Sequence, residues 1–193
     1  MTRTPRLGLL AALMVAQPVL MAQEPWDTSF KLVAAQVSGQ EKAGLGQDLQ
    51  YGLTIAGAHP VTSRGAICLE GGYMYSPTSS RSTSILNFED RRDIYHLGAH
   101  YRQGLFMDGF SVQGGLRYTS AVVTTRTYVN ASSWVQNQGP RHGAVSPFLG
   151  LHGRLTDKIS LELNGSGLAV KNLNGQVTKE RQIEVALGIH LGK

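Results

Sequence analysis

The chain has 193 residues, enough for one domain of ordinary size and short for two. Charged residues make up 16% of it, below the roughly 25% usual in soluble proteins, and the formal charge of +5 comes without a basic block of the kind that tracks nucleic acid. One cysteine excludes a disulfide framework and a cysteine-based zinc site, and 41% hydrophobic residues exclude intrinsic disorder.

Residues 1–22 read as a secretory signal peptide. Arg3 and Arg6 form a basic start, Leu7–Ala16 is an unbroken apolar run, and Val19-Leu20-Met21-Ala22 leads to a cleavage point after Ala22. The run is about half the ~20 residues that a spanning helix needs, and no later stretch is long enough either. The remainder, residues 23–193, is expected to be one barrel domain.

That remainder alternates with period two, the mark of strands. Eight segments follow in order: Trp26–Ser38, Gln47–Ala58, Gly65–Ser76, Arg91–Gln103, Gly109–Thr125, Gly143–Leu155, Lys158–Val170 and Arg181–Gly192. One face is apolar, as in Leu49, Tyr51, Leu53 and Ile55, or Ile183, Val185, Leu187, Ile189 and Leu191. The other is small and polar, as in Gln50, Gly52, Thr54 and Ala56. Segments this long exceed the ~5–6 residues of ordinary globular strands and suit tilted strands that cross a bilayer core. In lipid the apolar face points outward and the sheet must close, because hydrocarbon offers no partners to a free strand edge.

The connections alternate in length. Those at Gly39–Leu45, Pro77–Asp90, Arg126–His142 and Lys171–Glu180 are the longer ones; Asn174-Gly175 marks a hairpin tip in the last, and Thr156-Asp157 makes a tight turn on the other side. This places both termini on the periplasmic side. Tyr51, Tyr75 and Tyr95 fall near the outer rim and Tyr101 and Phe110 near the inner rim, two belts of the kind an interface favours.

The pattern resembles the small eight-stranded outer-membrane β-barrels of the OmpA/OmpX-like superfamily. The resemblance covers the whole of residues 23–193 and rests on pattern, not on a motif. It implies an all-β, antiparallel up-and-down transmembrane barrel in a bacterial outer membrane. It also implies insertion by the barrel-assembly machinery and contact with outer-membrane lipid and lipopolysaccharide. Such proteins usually end in an aromatic residue; this chain ends in Gly188-Ile189-His190-Leu191-Gly192-Lys193.

A barrel of eight strands has room inside for side chains only. The inward face holds Lys31, Glu70, His96, His100, Arg102, Arg117, His152, Arg154, Glu162, Glu184 and His190, expected to fill the lumen as a polar network. A narrow channel for small solutes is the alternative. Metal binding by His96 and His100 is excluded by spacing: four residues apart on a strand separates them by roughly 13 Å, too far to share one ion. No cofactor is expected.

Enzymes with a histidine and a serine two residues apart on one strand occur among lipid-modifying outer-membrane barrels, but no histidine here has a serine at that spacing. A non-enzymatic role is therefore expected, with lipid modification as an alternative. A soluble periplasmic barrel binding an apolar ligand is a further alternative, and it would invert the faces. Surface contact is expected from Phe88, Tyr128 and Trp134 in the long connections. Arg81, Arg91, Arg92, Arg126 and Arg141 near the same rim could bridge phosphates of lipopolysaccharide, since guanidinium forks match phosphate oxygens.

Overall fold

The computed structural model describes residues 26–38, 49–76, 79–82, 86–105, 109–130, 133–171 and 175–191. The expected signal peptide and its cleavage point after Ala22 lie outside the described residues. Ten strands follow in chain order: β1 (Asp27–Ser38), β2 (Leu49–Pro60), β3 (Gly65–Tyr75), β4 (Ser79–Ser82), β5 (Asn87–Gly104), β6 (Phe110–Asn130), β7 (Ser133–Gln138), β8 (His142–Arg154), β9 (Ile159–Lys171) and β10 (Val177–His190).

Eight of these, all but β4 and β7, form the expected barrel. Each pairs antiparallel with the next, and β1 closes on β10 from Ser29↔His190 to Ser38↔Arg181. Closure leaves the barrel without a free edge, the condition for crossing hydrocarbon. Gly175, at φ +83°, opens the approach to β10 in the left-handed conformation that glycine adopts without steric cost. At the opposite end, Thr156 Oγ1 accepts from the backbone N–H groups of Lys158 and Ile159 at 3.2 and 3.1 Å, fixing the β8–β9 turn.

The faces are decided by burial. Leu187 is 40% exposed and Ile189 47%, while Glu184 is 2% exposed. This overturns the inverted, soluble-barrel alternative: the apolar face is the outer wall. Leu53, Leu32, Leu187 and Leu161 are register partners across four strands, an apolar surface of the sort that contacts lipid. Tyr51 is opposite Tyr75, and Tyr73 opposite Tyr95, towards one end; Tyr101 and Phe110 sit towards the other, near the short turns.

Two connections differ from the sequence reading. β5 and β6 extend past the rim as paired strands up to Asn87↔Tyr128. β4 lies along β5, and β7 along β6. Part of Pro77–Asp90 and of Arg126–His142 is thus a four-stranded sheet, β4-β5-β6-β7, standing above the barrel. The cause is legible in β6, where the β-branched run Val122-Val123-Thr124-Thr125 carries strand preference beyond the bilayer span.

Candidate functional site

The lumen is the most organised part of the molecule. Its inward residues form a chain of alternating charge, Glu184–Arg117–Glu70–Lys31–Glu162–Arg102, whose members come from β10, β6, β3, β1, β9 and β5. Arg117 Nη2 donates to Glu70 Oε1 at 2.5 Å, its Nε donates to the same oxygen at 3.0 Å, and its Nη1 donates to Glu184. Lys31 Nζ bridges Glu70 Oε2 at 3.3 Å and Glu162 Oε2 at 2.9 Å. Arg102 Nη2 donates to Glu162 Oε1 at 3.2 Å. Three cations face three carboxylates, so no net charge is buried, and charge-assisted bonds hold each carboxylate in place.

Neutral groups extend the chain. Gln113 accepts from Arg102 Nε and donates to Glu162 Oε2 and, at 2.8 Å, to Asn164 Oδ1. The Arg117 guanidinium lies 4.4 Å from the centroid of the Phe148 ring on β8, and His96 Nε2 is 3.1 Å from Thr54 Oγ1 on β2. All eight barrel strands therefore contribute side chains to the filling of the lumen. Gly98 leaves room for it: a Cβ there would stand 2.9 Å from Glu70 Cγ.

Towards the outer end the lumen becomes apolar. Val33, Ala35, Met74, Ile94, Ala121, Leu168 and Ala186 pack together, joined by Val37, Val123 and Val170. Within this layer Arg92 donates to both oxygens of Glu180, at 2.7 and 3.3 Å. The sequence reading groups Arg92 with the phosphate-bridging arginines of the outer rim; it is instead buried. Its side chain shares the inward phase of Ile94 and His96, which overrides its nearness to the connection.

At the end of the barrel with the short turns, three strands meet in a second polar cluster. His190 Nδ1 lies 2.9 Å from Asp27 Oδ1, and His190 Nε2 lies 3.0 Å from Ser160 Oγ. A carboxylate only accepts, so in the neutral ring Nδ1 donates to Asp27 and Nε2 accepts the Ser160 hydroxyl proton. The connectivity matches a serine–histidine–aspartate triad, but Ser160 is 1% exposed, and a nucleophile has to reach its substrate. The cluster instead clasps β1, β10 and β9 where the first strand meets the last. Nearby, Ser111 Oγ and His152 Nδ1 are 3.2 Å apart.

No family model matches the chain, and comparison with curated proteins returns no match. Solved structures do match. Ail, the attachment invasion locus protein of Yersinia pestis, aligns with a TM-score of 0.55 at 12% identity, over 87% of this chain and 100% of its own. The same protein in complex with the heparin analogue sucrose octasulfate gives 0.54 at 10% identity, with coverages of 87% and 100%. A major outer membrane protein from Thermus thermophilus gives 0.51 at 8% identity, over 85% of this chain and 99% of its own. The fold is that of the small outer-membrane β-barrels.

Most lumen residues expected from the sequence of this barrel meet in one network. Lys31, Glu70, Arg102, Arg117, Glu162 and Glu184 form its charged chain, and His96 pairs with Thr54 in the same lumen. His100 packs against Phe148 with ring centroids 5.0 Å apart. His152 and His190 belong to the polar clusters at the end with the short turns. Arg154 departs from the expectation: it is the last residue of β8, exposed at the rim, 3.5 Å from Asp27 Oδ2 and donating to the Asp157 carbonyl at 2.9 Å. Among the described residues, no group of three or more histidine, cysteine or acidic side chains is placed to hold a metal ion.

Sequence reasoning placed Gln113 and Ser160 on the polar face without singling them out, and missed Asp27 and Glu180. Glu180 could have been found by extending the phase of Glu184 and Gln182 by one more pair. Of the surface candidates, Tyr128 is opposite Trp134 across β6–β7 and donates to Glu89 Oε2 at 2.6 Å. Trp134 is exposed, and Phe88 is opposite Arg81 and Thr127 in the four-stranded sheet.

Proposed function

We infer that this protein is a non-conducting outer-membrane barrel that holds a four-stranded sheet, β4-β5-β6-β7, above the membrane for surface contact. The observation that carries this reading is the alternating chain from Glu184 to Arg102. It crosses the lumen between opposed walls and leaves its carboxylates and lysine locked to one another. An ion entering such a lumen would have to replace several charge-assisted bonds at once. Lipopolysaccharide and phospholipid surround the outer wall, and the barrel-assembly machinery inserts it. Contact with an external partner falls to the raised sheet, where β7 (Ser133–Gln138) is exposed at every residue and carries Trp134. The sulfated-sugar complex of Ail supports surface recognition as the role of such a barrel. No catalytic step is assigned.

The test is single-channel recording from the purified full-length protein in a planar bilayer, after an unboiled sample has shown the faster migration of a closed barrel in SDS. The expected record is flat. Reproducible ohmic steps would replace this reading with the solute-channel one.

A further inference from the structure

On the outward face, where the barrel wall meets the raised sheet, lies a cleft of about 250 Å³. Its floor is the outer wall itself: Tyr73 and Tyr95, with ring centroids 5.1 Å apart, and Val122. Arg91, Asp93 and Glu89 stand on one side, Arg126, Gln136, Gln138 and Arg141 on the other.

The charges in this cleft are unequal in their commitments. Asp93 is bound by Arg91, at 2.9 and 3.2 Å, and by the Tyr73 hydroxyl. Glu89 accepts from Tyr128. The two remaining guanidiniums form no ion pair with a carboxylate among the described residues. Arg126 stacks over the Trp134 ring at 5.0 Å, neighbours the Tyr128 hydroxyl and donates a long bond from Nε to Gln136, 3.4 Å. Arg141 stacks over the Tyr95 ring at 5.2 Å and donates to Ser120 Oγ at 3.4 Å. Stacking uses the face of a guanidinium and leaves its in-plane N–H fork available. The aromatic rings thus hold two forks at the cleft, each with donors left over.

We propose that this cleft binds the phosphorylated sugar headgroup of an outer-leaflet glycolipid. A pyranose ring lies against Tyr73 and Tyr95, its hydroxyls meet Gln136 and Gln138, and its phosphate takes the forks of Arg126 and Arg141. The position selects a membrane glycolipid over a soluble ligand. The cleft's lining residues on β5 and β6 share the outward phase of the barrel wall, at the level of the tyrosines that face the headgroup zone. The site rests on the reading of that wall as lipid-facing.

The experiment uses the full-length protein in phospholipid nanodiscs, with Trp26→Phe so that Trp134 is the sole tryptophan reporter. Three probes are compared: a bisphosphorylated lipid A glycolipid within the disc, the same glycolipid stripped of phosphate, and inorganic phosphate at millimolar concentration. The expected result is a saturable change in Trp134 emission with the phosphorylated glycolipid. Dephosphorylation should weaken its half-saturation at least tenfold, and so should the Arg126→Gln/Arg141→Gln double variant. An equal response to the stripped glycolipid, or an undiminished response in the variant, overturns the site. An equal response to free phosphate overturns the glycolipid assignment. The unboiled gel shift reports insertion separately: an inserted barrel that ignores all three probes removes the site alone, whereas failure to insert removes the lipid-facing reading beneath it. The three probes decide the matter on the parent protein even where the variant does not fold.

Discussion

Arg117 is the residue whose removal should cost most. It is the only cation within hydrogen-bond reach of Glu184 among the described residues, and it shares Glu70 with Lys31. Arg117→Met keeps an unbranched apolar side chain beside Phe148 but removes the guanidinium, and leaves Glu184 buried without a counter-charge. Breaking a buried pair in this way costs about 3–5 kcal/mol. At 1.4 kcal/mol per tenfold, that is two to nearly four orders of magnitude in the folded ratio. Glu70 keeps Lys31 and adds little to the loss. The double variant Arg117→Met/Glu184→Met removes one charge of each sign and leaves the balanced chain Glu70–Lys31–Glu162–Arg102. Exchange of a buried pair for apolar groups is often neutral or better, so the double variant should return to within about 1 kcal/mol of the parent. Both are measured by urea titration in phospholipid vesicles, reading the folded fraction as the fast-migrating band of unboiled samples. A single variant within about 0.5 kcal/mol of the parent, or a double variant as unstable as the single, would refute the reasoning that the network is a chain of mutually compensating charges.

Other perturbations probe the remaining parts. Leu187→Arg places a charge on the outer wall and should cost roughly 2–4 kcal/mol if that position lies near the bilayer midplane; the same titration checks it, and no loss would mean that the wall does not face hydrocarbon. His190→Ala leaves Asp27 and Ser160 without their shared partner and should cost about 1–3 kcal/mol; a fluorophosphonate probe should leave the parent's Ser160 unlabelled, and labelling there would turn the clasp into a catalytic site. Gln136→Pro removes a backbone donor from β7 and should speed amide exchange in β7 and the tip of β6, with the barrel's gel shift unchanged. Slow exchange in β7 would show that the raised sheet does not depend on that ladder.

The barrel strands were legible because alternation is a local property: Tyr51, Leu53 and Ile55 announce one face without knowledge of any neighbour. The charged chain was legible for the same reason, since Lys31, Glu70, Arg117 and Glu184 each sit in the inward phase of their own strand. What was hidden depends on register. Asp27, His190 and Ser160 lie on β1, β10 and β9, and their approach follows from the pairing of Ser29 with His190 and Gly188 with Ser160. No spacing along one strand reveals it. The apolar upper lumen was obscured differently. On β1, Val33, Ala35 and Val37 follow Lys31 in the inward phase, opposite outward Leu32 and Ala34, so the segment is apolar on both faces and reads as a weakened alternation. The raised sheet was hidden because the Ser- and Thr-rich composition of 77–90 and the Asn, Gln and Ser of 126–142 suggest connections, while their pairing with β5 and β6 supplies the missing order.

The division of the lumen into a charged and an apolar storey bears on how the barrel chooses its register. A strand that slips by one residue exchanges its two faces, and for a barrel in lipid the outer wall already penalises that slip. A slip by two residues keeps every apolar side chain outward and costs the wall little. The lumen penalises it instead. Moving β10 by two would carry Glu184 away from Arg117 and Glu180 away from Arg92, two separations in one step. Glu184 and Glu180 would each lose the guanidinium that pairs with it, in a region where such groups are costly to bury, while the apolar layer would be asked to accept whichever charge arrived. Buried ion pairs add little net stability over well-packed apolar groups, but they discriminate strongly between arrangements. In this barrel the outer wall selects the phase of each strand, and the lumen selects among the registers that share that phase.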